Sequence, residues 1–200
     1  MEKENWNHPA FHVKIIERNA DSPHYIQAYT DGSKSEAGVG AGIAIYQDNN
    51  LTSTLKYRLN ERCTNNQAEQ MAILKALEHI QNMESCDKVV LIHTDSQITL
   101  QLLQNKKKHT RLIERIRTKI TEMEQHAWRV ESIWIKAHAG HRGNEMAYQL
   151  AKEAANNKNI EESYTKIPKS VILNELKEKS VKQWQMGKHY KGSNNKTLFS

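Results

Sequence analysis

The chain alternates between short apolar runs and polar punctuation, and the spacing of its apolar residues changes from segment to segment. Tyr25 to Thr30 reads as a strand, and Asp31-Gly32-Ser33 is turn chemistry that predicts its end. Val39 to Tyr46 reads as a second strand, whose Gly40 and Gly42 predict close approach by another backbone. Leu51 to Leu59 alternates as a third. Thr64-Asn65-Asn66 is a helix-start signal, and from Asn66 to Gln81 the apolar residues Ala68, Met71, Ala72, Leu74, Leu77 and Ile80 recur with helical spacing. Val89 to Thr94 is nearly all apolar, as a strand buried on both faces reads. Helical spacing returns at Ile98–Leu103, and again at Thr110–Gln125 through Leu112, Ile113, Ile116, Ile120 and Met123. Val130–Lys136 alternates as a fifth strand. A loop from His138 to Gly143 leads to a last core helix, Asn144–Asn156.

Three hairpin-joined strands followed by two that need crossovers predict an α/β fold. Its mixed five-stranded sheet has three antiparallel strands, then two parallel ones, with helices on both faces. Residues 1–23 read as a polar lead-in, 24–157 as the domain, and 158–200 as a polar tail with one helix at 169–184.

Composition narrows the class. Apolar residues make up 38% and mean hydropathy is −0.80. With no apolar run near the ~20 residues of a membrane span, no membrane role is expected. The opening residues carry acids and no apolar core of a secretory signal, so an intracellular setting is expected. Cys63 and Cys86 form no metal-spaced cluster. Lys and Arg outnumber Asp and Glu by 29 to 23, a net charge of +6 that suits a polyanionic partner without requiring one. Much of this charge sits around one helix, in Lys106, Lys107, Lys108, His109, Arg111, Arg115, Arg117 and Lys119. It reads equally as a solvated face or as a track for phosphates.

Three acids stand where buried elements end: Asp31 after the first strand, Asp95 after the central strand, and Glu69 one turn into the first helix. Each alone reads as a cap or turn residue. Together, clustered acids repel each other, and a divalent cation relieves that repulsion.

The surrounding text resembles type 1 ribonuclease H. The resemblance rests on Tyr29-Thr30-Asp31-Gly32-Ser33, Thr64-Asn65-Asn66-Gln67-Ala68-Glu69, Thr94-Asp95-Ser96 and His138-Ala139-Gly140-His141-Arg142-Gly143-Asn144-Glu145, in that order, and covers roughly residues 25–156. It implies endonucleolytic hydrolysis of the RNA strand of an RNA·DNA hybrid, with two Mg²⁺ (or Mn²⁺) ions. It implies Asp31, Glu69 and Asp95 as catalytic metal ligands and His138 as an aid to proton transfer or product release. Asn65 and Asn66 would contact the hybrid where RNA is told from DNA, and Gln67 and Asn144 would face the same groove. Gly32, Ser33 and Ser96 belong to the same substrate-binding blocks. His141 reads as structural, and Trp128 and Trp134 read as core rather than as base-stacking platforms.

The pattern breaks at Tyr148, which stands where the family has a fourth aspartate. A phenol is mostly protonated near neutral pH and is a poor Mg²⁺ ligand. Cleavage should therefore be weakened; the alternative is an inactive, hybrid-binding relic. Glu145, one turn earlier, is a partial substitute to consider. The flanks, His8-Pro9-Ala10 and Ile167-Pro168-Lys169-Ser170 to Trp184, resemble the setting of this domain in non-LTR retrotransposon polyproteins. That setting implies a reverse-transcriptase neighbour, with this chain a fragment or a stand-alone remnant.

Overall fold

In the computed structural model, residues 9–16, 25–85, 87–137 and 139–193 are described. A seven-stranded sheet carries the fold, in the order β1-β6-β5-β2-β3-β4-β7. Its middle is the expected one. β2 (Ile26–Ser35), β3 (Gly38–Gln47) and β4 (Asn50–Leu59) form an antiparallel meander, and β5 (Val89–Thr94) and β6 (Arg129–Trp134) add parallel to it. Two three-residue strands enlarge the expected five to seven. β1 (Lys14–Ile16) pairs in parallel with β6, and β7 (Glu162–Tyr164) with β4. Each is too short to show a period in the sequence.

A second difference concerns β2. It does not end at Asp31-Gly32-Ser33 but runs through them to Ser35, paired with β3 throughout. What ends there is the pairing on the other side. The parallel β2–β5 ladder closes at Thr30↔Thr94, so Asp31 and Asp95 are the residues just past it. A crevice opens where β5 leaves the sheet, at the carboxyl ends of parallel strands, where α/β sheets place their ligands.

The helices fall on both faces. α1 (Asn65–Ile80) opens with a capping box: Thr64 accepts from the Gln67 backbone N–H, and the Gln67 side chain accepts from the Thr64 N–H. α1 buries Met71, Leu74, Leu77 and Ile80 in the main core with Ala41 and Ile43 of β3. α3 (Arg111–Gln125) adds Ile113, Ile116 and Ile120 to that core. α4 (Arg142–Asn156) lies on the opposite face, over the alternate residues of β3. There a Cβ on Gly42 would stand 2.1 Å from the Ala147 carbonyl oxygen, and one on Gly40 2.2 Å from that of Ala151. The close approach expected from these glycines is real, and α4 answers it with small residues: Ala147, Ala151, Ala154 and Ala155. α2 (Gln97–Gln104) is a short connector after β5.

The chain divides into two units, Met1–Thr165 and Lys166–Ser200. The second holds α5 (Lys169–Ser193), a longer helix than the 169–184 expected. Among the described residues, no helix is long and apolar enough to cross a membrane.

Candidate metal centre

Asp31, Glu69 and Asp95 each offer a carboxylate oxygen within 4.8 Å of the others. Three elements bring them together. β2 carries Asp31 past the end of its ladder with β5, and the same chain exit presents Asp95. Glu69 arrives from α1, and Gly32 sets how near α1 lies. A Cβ there would stand 2.6 Å from the Glu69 backbone nitrogen and 2.9 Å from the Ala68 Cβ, so any larger residue would push the helix away. The Gly32 backbone amide, next to both side chains, partly offsets the upward push on Asp31 and on Glu69. In this structure Gly32 is a packing residue of the site.

The electrostatics are unfavourable for three bare anions. Burial, with repulsion from Asp95, pushes the Asp31 carboxyl up to about 7. Glu69 is pushed well above its ordinary range by burial first, then by Asp31 and Asp95. One buried oxygen of Glu69, Oε2, has no hydrogen-bond partner; the other accepts from Asn65 Nδ2 at 3.4 Å. A buried, partnerless carboxylate oxygen beside two further acids is what a hard divalent cation would satisfy, so the residues present fit such an ion.

The carboxylates line an open cleft of about 470 Å³. Asn65, Asn66, Gly32 and Ser96 line it as well. So do Gln97, Ile98 and Ala137, which the sequence reading passed over. Gln97 and Ile98 could have been found: they follow Asp95-Ser96 on the first turn of α2, where chain leaving a buried strand faces the crevice. Ser33 and Gln67 are not among the lining residues. Ser33 lies further along β2, and the Gln67 side chain is occupied in the capping box. Asn144 is buried in the first turn of α4 with its Oδ1 unpartnered, also outside the cleft lining. His138 lies outside the described residues.

Tyr148 does line the cleft. The seam of glycine on alanine holds α4 against β3, and Asp31 pairs across from Gly42, so position 148 comes to the side of the acids. Glu145 is exposed and does not line the cleft.

Two further expectations are corrected. Trp128 is buried, but Trp134 is 48% exposed, because it sits at the end of β6. Its Nε1–H donates to the Asp95 carbonyl at 3.2 Å. Arg117 is fully buried and cannot belong to a phosphate track. Its guanidinium donates to the carbonyls of Leu102, Leu103, Asn105 and Lys108, closing the end of α2, and pairs with Glu114. The signal was present: Arg117 lies four residues after Ile113 and three before Ile120, on the apolar stripe of α3. Arg115 and Lys119 pair with Glu78 and Glu122, which leaves the turn at Lys106–Lys108 as the more open part of the cluster.

A family model described as RNase H matches residues 23–156. Ribonuclease H of Vibrio vulnificus is 31% identical over 152 residues, covering 69% of this chain and 94% of that protein. Ribonuclease H of Blochmanniella pennsylvanica is 34% identical over 145 residues, covering 65% and 91%. Among solved structures, RNase H1 from the halophilic archaeon Halobacterium salinarum NRC-1 matches with a TM-score of 0.51 at 24% identity, over 65% of this chain and 96% of that one. That last likeness is one of fold. β1 and β7 both lie outside the matched stretch.

Proposed function

The chain belongs to the ribonuclease H family, and from that premise we propose that it cuts the RNA strand of RNA·DNA hybrids endonucleolytically, with Tyr148 weakening the reaction. The observation that carries this reading is the convergence of Asp31, Glu69 and Asp95, with an unsatisfied buried oxygen on Glu69. These three residues would hold the divalent ions, two Mg²⁺ or Mn²⁺. When bound, such ions activate a water and stabilise the leaving alkoxide of a phosphodiester.

The chain's own residues supply the rest. Asn65 and Asn66, on the cleft wall, have side-chain amides able to read a 2′-hydroxyl, the group that separates RNA from DNA. Asn65 also steadies Glu69 through its hydrogen bond to Oε1. Ser96 and Gln97 extend the same wall. His138 is assigned the proton-transfer role that the family resemblance implies, suited to an imidazole near neutral pH.

Tyr148 brings a phenol to the cleft where the family pattern has a carboxylate. It withholds one anionic ligand while the amide-bearing cleft wall remains, which favours a second reading: a protein that binds hybrids and turns them over slowly or not at all. Cleavage of an end-labelled hybrid with Mg²⁺ or Mn²⁺ separates the two, with Asp31→Asn as the control. Tyr148→Asp is expected to raise Mg²⁺-dependent cleavage more than tenfold. If that change does nothing while Asp31→Asn abolishes cleavage, the reading of Tyr148 is wrong. If the wild-type chain binds hybrids without cutting them, the binding-only reading stands.

A reverse-transcriptase polyprotein is the setting that the flanking text supports. A decaying copy of it would account for Tyr148, and intact polymerase sequence beside this domain in the same reading frame would count against that decay.

A further inference from the structure

Beside the cleft lies a second cavity of about 540 Å³, larger than the cleft itself. Ile133 and Trp134 of β6, with Ile135 just after it, form its floor, and Leu100 and Gln101 of α2 one wall. Ile15 and Ile16 form another wall, and they come from β1, outside the stretch that matches the family. Lys136 and His141 stand at it with exposed side chains. The cavity adjoins the cleft in two ways. Gln97 lines both, and the Trp134 indole is tied to the Asp95 carbonyl. Among the described residues of the first unit, the exposed large apolar side chains are Leu51, Ile98 and Trp134. Two of these three flank the carboxylates, where a solvated protein gains nothing by exposing them.

We propose that this cavity is a subsite for an unpaired nucleotide flanking the hybrid, with the base stacked on Trp134 and its phosphate met by Lys136 and His141. The inference rests on the hybrid-binding reading above. An aromatic face beside cationic side chains is the chemistry by which single-stranded nucleic acid is held without sequence preference. Trp134 suits the task because its Nε1–H bond fixes the ring while half of its surface stays open. The amides of Gln97 and Gln101 can meet base edges in either donor–acceptor sense. A purely apolar ligand would leave Lys136 and the two amides unmatched. Because β1 supplies part of the wall, the subsite reaches beyond the stretch that matches the family model.

The test compares affinities by fluorescence anisotropy in EDTA, so that no strand is cut. The probes are a blunt 12-base-pair hybrid and the same hybrid carrying a three-nucleotide unpaired extension on either strand at either end. At least one extension is expected to tighten binding fivefold or more, the lower end of what one stacked base contributes. That ratio should fall to about one in Trp134→Ala, persist in Trp134→Phe, and shrink in Lys136→Glu, each variant being normalised to its own blunt-hybrid affinity. No gain from any extension, or a gain that survives Trp134→Ala, overturns the subsite. If the wild-type chain fails to bind even the blunt hybrid, the underlying functional reading fails instead.

Discussion

At Asp31, burial and the neighbouring Asp95 push the carboxyl from an ordinary 3.8 to about 7. The folded state therefore favours the protonated acid. The resulting stability is fully present below about pH 4 and is lost as pH rises through about 7. Glu69 shifts in the same direction for the same reasons, burial foremost. The metal-free protein should accordingly lose stability between pH 4 and 8, and the rise in melting temperature on adding Mg²⁺ should be larger at pH 8 than at pH 5. Asp31→Asn should stabilise the metal-free protein at pH 8 by on the order of 2 kcal/mol, about 4–8 °C for a domain of this size, while removing most of the Mg²⁺ effect. Thermal melts with EDTA and with Mg²⁺ at the two pH values check both statements. A Mg²⁺ shift independent of pH would mean that the three carboxylates are not where the ion binds. The acids themselves were legible in the sequence, because each lies in a recognisable block. Their environment was not, since burial depends on how far α1 and β2 approach each other, and Gly32 sets that distance through a contact 36 residues on in the chain, at Ala68.

Among the elements, α4 is the one whose placement decides the character of the site. It is seated by close backbone approach along Gly40 and Gly42, where the nearest atoms are backbone and therefore cannot swing aside. Gly42→Ala would set a methyl 2.1 Å from the Ala147 carbonyl oxygen and 2.3 Å from the Ala151 nitrogen. The helix must then lift, at a cost of about 3 kcal/mol, measurable by urea unfolding, and Tyr148 would leave the cleft with it. At the far end of α2, Arg117→Met should cost a similar amount, about 3 kcal/mol, since four carbonyls would lose the guanidinium donor and only Leu102 and Asn105 keep a backbone donor beside it. An exposed arginine would cost next to nothing, so the same measurement tests the burial of Arg117. Helices were well marked by periodicity: α1, α2 and α3 begin and end within a residue or so of the expected positions. β2 was misjudged because Asp-Gly-Ser carries two signals at once. A glycine at which a helix must approach is indistinguishable, in one dimension, from a glycine at which a chain must turn.

For the whole molecule, the net charge of +6 predicts that hybrid binding weakens with salt. Replacing Lys106, Lys107 and Lys108 together by Ala should flatten the plot of log affinity against log salt by up to about 0.9 per lost contact; an unchanged slope would return this turn to an ordinary solvated surface. The central five strands were legible because each is long enough to show a pattern. β1 and β7 were not: three residues cannot display a period, and each is stabilised by the edge it covers. The placement of Asp31 within a ten-residue strand, paired to β3 on either side of it, has one more effect. A carboxylate borne by a loop can relax on its own, but one stitched into the interior of a sheet inherits the sheet's opening energy. Catalytic competence and global folding should therefore be lost together, in a single cooperative step, as denaturant rises.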